Sequence, residues 1–193
     1  MKTLAVMLAL ASSLVAQSNF VELRGASTQY RYSDWMYSSP RNLVIDVCYI
    51  GTPGANEFDA GLGYQLKPLP SLTLFPLVYT TITKEGDRGA KLALLASLEV
   101  SGWKANAYLA QNWAIAGNSP SYLVLDTLDI THPLGKRLEV GGSLGFFHQT
   151  QTWNPQLGPL VKLNDQFGSW VVSWRMIGPQ KEFRVGRTLA FGK

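Results

Sequence analysis

Segments of about ten residues in which apolar and polar side chains alternate make up most of the sequence after residue 40. In residues 90–100 every second side chain is apolar, from Ala90 to Val100, and charged residues occur only between them. This period of two places the two sets on opposite faces of a β-strand, whereas a helix requires a period near 3.6. The pattern predicts an all-β fold, and it recurs in residues 57–67, 103–113, 138–147 and 169–176.

Short turn signals between the segments predict an antiparallel, up-and-down order of strands. Ser101-Gly102 is one such turn, and its neighbours Val100 and Trp103 both lie on the apolar faces that the alternation assigns. Turn and register therefore agree. We predict about ten strands, with eight to twelve fitting the sequence, near residues 42–51, 57–67, 72–83, 89–100, 103–115, 121–132, 137–150, 157–164, 168–177 and 182–191.

Residues 1–16 have the order of a secretory signal peptide. Lys2 supplies a positive start, an apolar run follows, and small residues lead to Ala16. The apolar run is too short to span a bilayer as a helix. We predict a cleavable signal peptide over residues 1–16, with Ser18 as the alternative cleavage position.

Charged residues make up only 16% of the chain, against roughly 25% in a typical soluble domain. The formal net charge is +4 and no run of basic residues occurs, so the sequence does not predict nucleic-acid binding.

Cys48 is the single cysteine, which excludes an intramolecular disulfide, and His132 and His148 are too few for a histidine-based metal centre. We expect neither a metal nor a cofactor.

Two environments are compatible with two-faced strands. A soluble barrel turns its apolar faces inward, whereas a membrane barrel turns them towards lipid and encloses the polar faces. The polar faces here combine sparse charges with small residues, which suits a crowded interior, and the strand lengths suit a tilted crossing of a bilayer. Aromatic side chains also collect near strand ends, where they fit a membrane interface: Tyr49, Trp103, Trp113, Tyr122, Trp153, Trp170, Phe183 and Phe191.

With these features the chain resembles a bacterial outer-membrane β-barrel protein. The resemblance includes the export signal, the two-faced strands and a final strand from Phe183 to Phe191 that ends in an aromatic residue. The barrel-assembly machinery reads such a strand in members of this family, although here Gly192 and Lys193 follow it. The resemblance implies a transmembrane barrel in the Gram-negative outer membrane, with lipid and the assembly machinery as partners. A soluble periplasmic binding barrel remains the alternative.

The mature chain shows no composition break that would indicate a second domain. Residues 17–40 are rich in aromatic side chains and fit one or two strands, or a plug or loop, while residues 41–193 form the predicted barrel. Pro76 and Pro159 fall inside predicted strands. Because proline lacks a backbone N–H, we expect bulges or strand ends near both.

Charged residues on the polar faces are the candidate lining of the lumen. Both signs occur, at Glu57, Asp59, Lys67, Lys91, Glu99, Lys104, Glu139, Arg175 and Arg184. Two interpretations stay open: ion pairs that fill a narrow structural barrel, or a small porin-like passage whose charges select solutes. The passage is favoured by glycines on the same faces, because missing side chains leave space: Gly61, Gly63, Gly141 and Gly145.

A lipid-modifying enzyme is a further alternative, with His148 as a weak catalytic candidate. Glu139 or Asp165 would have to orient its imidazole in a triad; otherwise His148 belongs to an interfacial rim beside Trp153. Asp126 and Asp129 suggest a carboxylate pair for acid/base chemistry, but their odd spacing predicts opposite faces of the strand.

Overall fold

The computed structural model of the chain describes residues 18–192, and the predicted signal peptide lies outside them. No helix in this part of the chain is long and apolar enough to cross a membrane. The described residues form thirteen strands: β1 (Ser18–Ala26), β2 (Arg31–Ser38), β3 (Leu43–Thr52), β4 (Ala55–Tyr64), β5 (Leu66–Leu69), β6 (Leu72–Thr83), β7 (Arg88–Val100), β8 (Trp103–Ala116), β9 (Tyr122–Pro133), β10 (Leu138–Gln149), β11 (Thr152–Asp165), β12 (Gly168–Ile177) and β13 (Gln180–Phe191).

The strands form one closed antiparallel barrel in which successive wall strands pair and β1 pairs with β13. β4 and β5 are consecutive segments of one wall strand, since both pair with β6. The wall therefore has twelve strands rather than the predicted ten. The additional strands are β1 and β2, so the aromatic-rich segment before residue 40 belongs to the wall and forms no plug.

Two prolines coincide with interruptions of the sheet, as expected for residues that cannot donate a backbone hydrogen bond. Pro76 lies opposite the break between β4 and β5, where pairing with β6 passes from Gly63–Leu77 to Leu66–Leu74. Pro159 lies where the pairing between β11 and β12 is interrupted. Closure of the barrel tolerates these two gaps because the flanking residues stay paired.

Short turns join the strands at both ends of the barrel. We call the end that holds Ser18 and Phe191 the terminal rim, and the opposite end the distal rim. The terminal rim contains turns 39–42, 70–71, 101–102, 134–137 and 166–167. The distal rim contains turns 27–30, 53–54, 84–87, 117–121, 150–151 and 178–179.

The outer surface is an apolar belt bordered by aromatic side chains at both rims. Leu62, Leu92, Leu94 and Leu157 are exposed on the outside of the wall. Ten residues of β8 separate Trp103 from Trp113, which gives a belt about 25 Å tall for tilted strands. The exposed aromatic residues are Tyr49, Phe58, Trp113, Trp153, Trp174 and Phe183 towards the distal rim, and Tyr64, Trp103, Phe167, Trp170 and Phe191 towards the terminal rim.

Arg187 is a charged residue on the outward face of β13, and it lies at the terminal rim. Its guanidinium pairs with Asp165 at 2.8 Å and lies 5.0 Å from the centre of the Trp170 ring. A cation held by a carboxylate and an aromatic ring fits a membrane interface. The register of β13 stays regular through this position.

All four glycines that were interpreted as leaving space, Gly61, Gly63, Gly141 and Gly145, mark close contacts instead, so that interpretation was wrong. A Cβ atom at Gly61 would overlap the ring of Tyr79, and one at Gly141 would overlap the carbonyl of Ile130. The missing side chains let the neighbouring groups approach the backbone.

Candidate functional site: the lumen

The barrel encloses a cavity of about 940 Å³. Its lining begins at the distal rim with Thr52, Ser119 and Gln180. It ends close to the turns of the terminal rim, at Ser97 and Ser169. The cavity therefore extends along nearly the whole inside of the wall.

A lysine cluster lies inside the distal half of the barrel and consists of Lys91, Glu57, Asp59 and Tyr122. The Nζ atom of Lys91 donates to Glu57 at 2.5 Å and also contacts Asp59. The Tyr122 hydroxyl donates to the same carboxylate of Glu57 at 2.6 Å. Behind this cluster the buried thiol of Cys48 donates to Asp59 at 3.3 Å. One cation on β7 thus serves two carboxylates of β4, which is separated from β7 by β6.

An arginine cluster on β1, β12 and β13 contacts Asp126 of β9. It consists of Arg24, Arg175 and Arg184 with the carboxylates of Glu22 and Glu182. Arg24 donates to Glu22 at 2.7 and 2.8 Å and also pairs with Asp126. Arg184 bonds Asp126 at 3.2 Å and Glu182 at 3.0 Å. Because β9 is nearly opposite β1 in the ring, the Asp126 contacts bridge the lumen. Arg175 completes the arginine cluster by donating to the Asp126 carbonyl at 2.8 Å.

A β-bulge in β9 explains how Asp126 reaches the lumen. Along their pairing, β9 advances three residues, from Leu125 to Leu128, while β10 advances only two, from Phe146 to Leu144. The extra residue shifts the alternation, as bulges do. Both Asp126 and Asp129 therefore line the cavity, and the prediction that they lie on opposite faces was wrong.

The side chains of Phe20, Met36, Phe75, Leu95 and Tyr108 form an apolar wall within the lumen. Phe20, Phe75, Leu95 and Tyr108 pack against a buried cluster that includes Met36, and all five line the cavity. Most of these side chains lie in the half of the barrel nearer the terminal rim. The lumen therefore has an apolar part beside its charged parts.

A third ionic group lies at the terminal rim around Glu139. Lys104 donates to Glu139 at 2.7 Å, and Lys162 lies 3.8 Å from the same carboxylate. Asn164 and Thr131 also donate to it, at 2.8 and 2.9 Å. The group fixes side chains of β8 to β11 at this end of the barrel.

The nine residues predicted to line the lumen do not all lie there. Glu57, Lys91 and Arg184 line the cavity. Asp59, Lys104, Glu139 and Arg175 belong to the ionic groups described above but not to the lining of this cavity. Lys67 and Glu99 are exposed near the terminal rim, because β5 and the end of β7 extend beyond the enclosed part of the barrel.

One of the predicted interface aromatics was placed on the wrong side of the wall. Tyr122 faces inward, where its hydroxyl bonds Glu57 and its ring lies 5.5 Å from the Lys91 ammonium. The prediction used only its position near a strand end. The other seven, which are Tyr49, Trp103, Trp113, Trp153, Trp170, Phe183 and Phe191, are exposed.

Sequence reasoning missed several lumen residues. Glu22, Arg24 and Asp34 lie in strands that were not assigned, and Asp126 depends on the bulge. Glu182 could have been predicted from the sequence, because it lies on the same face as Arg184 in a strand with regular alternation.

His148 does not form the triad considered for an enzyme. Its ring packs on Trp153, with 4.2 Å between the ring centres. Glu139 and Asp165 lie near the terminal rim, whereas His148 lies near the distal rim. Across residues 18–192, no three His, Cys, Asp or Glu side chains are arranged to hold a metal ion.

Asp87 connects two turns of the distal rim. Its carboxylate accepts hydrogen bonds from the Ser119 hydroxyl at 2.6 Å and the Asn118 N–H at 3.0 Å. These bonds, with that of Ser119 the larger cause, lower the pKa of Asp87 below its usual range. Because the folded-state pKa is lowered, the contact stabilises the rim above the ordinary aspartate pKa and is lost as the pH falls through the folded value.

We expect Ser119→Ala to return the pKa of Asp87 towards its usual value. An NMR titration of the carboxyl carbon in detergent micelles measures this pKa, with Ser121→Ala as the matched control on the same turn. An Asp87 pKa that is equal in wild type and Ser119→Ala would show that the hydroxyl does not hold the carboxylate.

Solved structures of porins share this arrangement. The KdgM porin matches with a TM-score of 0.65 at 11% identity, over 89% of this chain and 99% of that chain. A second KdgM porin structure, a complex with disordered oligogalacturonate, gives 0.66 at 11% identity over 90% and 99%. The NanC porin gives 0.62 at 9% identity over 91% and 99%. The chain folds as a bacterial outer-membrane β-barrel. No family model matches the sequence, and no curated protein matches it either.

The apolar belt agrees with this fold, because a closed barrel is the form in which strands satisfy every backbone group in lipid. The outer membrane is accordingly the location of the protein. At these identities the likeness concerns the fold, so the solute has to be argued from the lumen of this chain.

Proposed function

We propose that the protein is a narrow pore through which small hydrophilic solutes cross the outer membrane. The observation that carries this proposal is the cavity of about 940 Å³, whose lining extends from one rim nearly to the other. Over a belt of about 25 Å this volume corresponds to a mean cross-section of about 40 Å². That section suits single-file movement of small molecules.

The walls of the proposed pore are fixed rather than adaptable. The lysine and arginine clusters hold their side chains by charge-assisted hydrogen bonds. The longest turn between described strands has five residues, 117–121, too short to fold deep into the lumen. We therefore propose passive passage limited by size and charge.

The KdgM complex raises the question of whether an acidic oligosaccharide is the solute here. The lining of this lumen does not favour a polyanion, because six carboxylic residues line the cavity beside four cationic ones. We propose a different solute class below. Contact with outer-membrane lipid and assembly of the final strand by the barrel-assembly machinery belong to the same proposal.

Conductance in a planar lipid bilayer tests the pore. We expect purified wild-type protein to give discrete single-channel steps. Asn106→Trp, which fills the lumen, should reduce the step size at least about twofold because free cross-section is lost. Leu109→Trp on the outer face of the same strand is the matched control and should leave the step unchanged. Folded barrels without steps in any salt would contradict the proposed pore.

A further inference from the structure

We infer that the lumen selects small organic cations that carry an apolar body, such as arylalkyl ammonium ions. The inference rests on the proposed function and names its solute class. It begins with the charge of the lining, which differs in sign from the net charge of +4 of the whole chain. The lining contains Arg24, Lys91, Lys162 and Arg184 against Glu22, Asp34, Glu57, Asp126, Asp129 and Glu182.

Asp34 and Asp129 are the two carboxyl groups of this lining that form no salt bridge and have an Oδ1 atom without a hydrogen-bond partner, and Asp34 is the more buried of the two. Its side chain is only 5% exposed, it lines the cavity, and its Oδ1 atom has no hydrogen-bond partner. It forms no salt bridge of the kind that holds Glu22, Glu57 or Asp126. The Asp34 carboxyl group also shares a side-chain hydrogen bond with Asp46 of β3. Its buried Oδ1 atom without a partner is costly, and an ammonium group in the cavity would remove that cost.

The neighbours of Asp34 on β1 and β2 define where the cation would lie. Asp34 is directly paired with Glu22, and the next inward pair towards the terminal rim is Phe20–Met36. Like charges directly opposite each other on paired strands are unfavourable, and Arg24 neutralises only one of the two carboxylates. The cross-strand pair Glu22–Asp34, which attracts a cation, is therefore followed directly by the apolar pair Phe20–Met36.

The spacing of these pairs sets the shape of the solute. Successive inward-facing cross-strand pairs lie about 7 Å apart along a strand. This distance is close to the length of a phenyl ring joined to an ammonium group by two carbons. The ring would contact Phe20 and Met36 at the edge of the apolar wall, which continues with Phe75 and Tyr108. The ammonium would bind beside Asp34 and Glu22. Aromatic faces also attract an ammonium ion directly.

The test compares three small ions as inhibitors of the potassium current through wild-type protein in planar bilayers at neutral pH. Phenethylammonium has both the charge and the ring, methylammonium lacks the ring, and phenylacetate has the opposite charge. We expect a reversal potential that shows preference for potassium over chloride. We also expect half-maximal reduction of current by phenethylammonium at about tenfold lower concentration than by methylammonium, and no reduction by phenylacetate.

Two substitutions locate the site. Asp34→Asn should raise the half-maximal concentration of phenethylammonium about tenfold or more. Glu99→Gln removes the same charge at the exposed rim and should change it less than about twofold. If Asp34→Asn does not assemble, the comparison of the three ions on wild-type protein decides the inference.

The possible failures are distinguishable. Absence of any wild-type current overturns the proposed pore and with it this inference. A current that prefers chloride, or that responds to phenylacetate more than to phenethylammonium, overturns the inference and leaves the pore. Equal effects of methylammonium and phenethylammonium overturn the role of the apolar wall.

Discussion

Lys91→Met is expected to lower the free energy of unfolding of the barrel by about 3–5 kcal/mol, since removal of one partner from a buried ion pair leaves an uncompensated charge. Lys91 is 1% exposed and pairs with both Glu57 and Asp59. Methionine fills a similar volume but leaves two carboxylates without their cation. Urea unfolding in lipid vesicles, followed by tryptophan fluorescence, measures the change.

Lys104→Met is the matched control for this experiment. Lys104 pairs with Glu139 at 2.7 Å, but its side chain is 34% exposed at the terminal rim. Water and other donors compensate there, so we expect a loss of about 0–1 kcal/mol. The double variant Lys91→Met/Asp59→Asn should recover part of the loss because one buried charge is gone. Equal stabilities of Lys91→Met and Lys104→Met would contradict the structural role of the lysine cluster.

The second large effect is expected on the outer surface. Leu94 lies at the middle of β7 and is exposed on the apolar belt. An arginine at the bilayer midplane of a barrel costs about 2–4 kcal/mol. Leu94→Arg should therefore lower the yield of folded barrel in membranes, measured as the fraction of protein whose migration in gels changes on boiling.

Ser97→Arg places the same side chain on the inward face of the same strand, where Ser97 lines the cavity. Its charge can stay in the aqueous lumen, so folding should be close to wild type. If Leu94→Arg assembled as well as Ser97→Arg, the outward face of β7 would not lie in lipid.

The alternation of residues was sufficient to predict which faces of most strands are apolar and that the strands form an antiparallel barrel. It was sufficient because lipid and lumen impose opposite preferences at every second position, a rule that acts locally along each strand. The turn at Ser101-Gly102 illustrates this, since Val100 and Trp103 are paired and exposed as the alternation required.

The number of strands and the arginine cluster were not predictable in the same way. β1 and β2 carry Glu22, Arg24 and Asp34 inward, and these charges obscure the strand pattern unless the lumen is already known. The bulge in β9 adds one residue, so counting by two fails for Asp126. Bulges depend on pairing with distant strands, which a single sequence does not display.

The most direct test of the account is the environment of two positions on neighbouring strands. In a Cys48→Ser background, spin labels at Leu92→Cys and Asn106→Cys report collisions with oxygen, which concentrates in lipid, and with a water-soluble nickel chelate. In lipid vesicles we expect the label at position 92 to meet oxygen and be shielded from nickel, and the label at 106 to show the reverse. Access of nickel to position 92, together with a label at 106 that meets oxygen, would contradict a barrel with its apolar surface in the membrane and its charges inside.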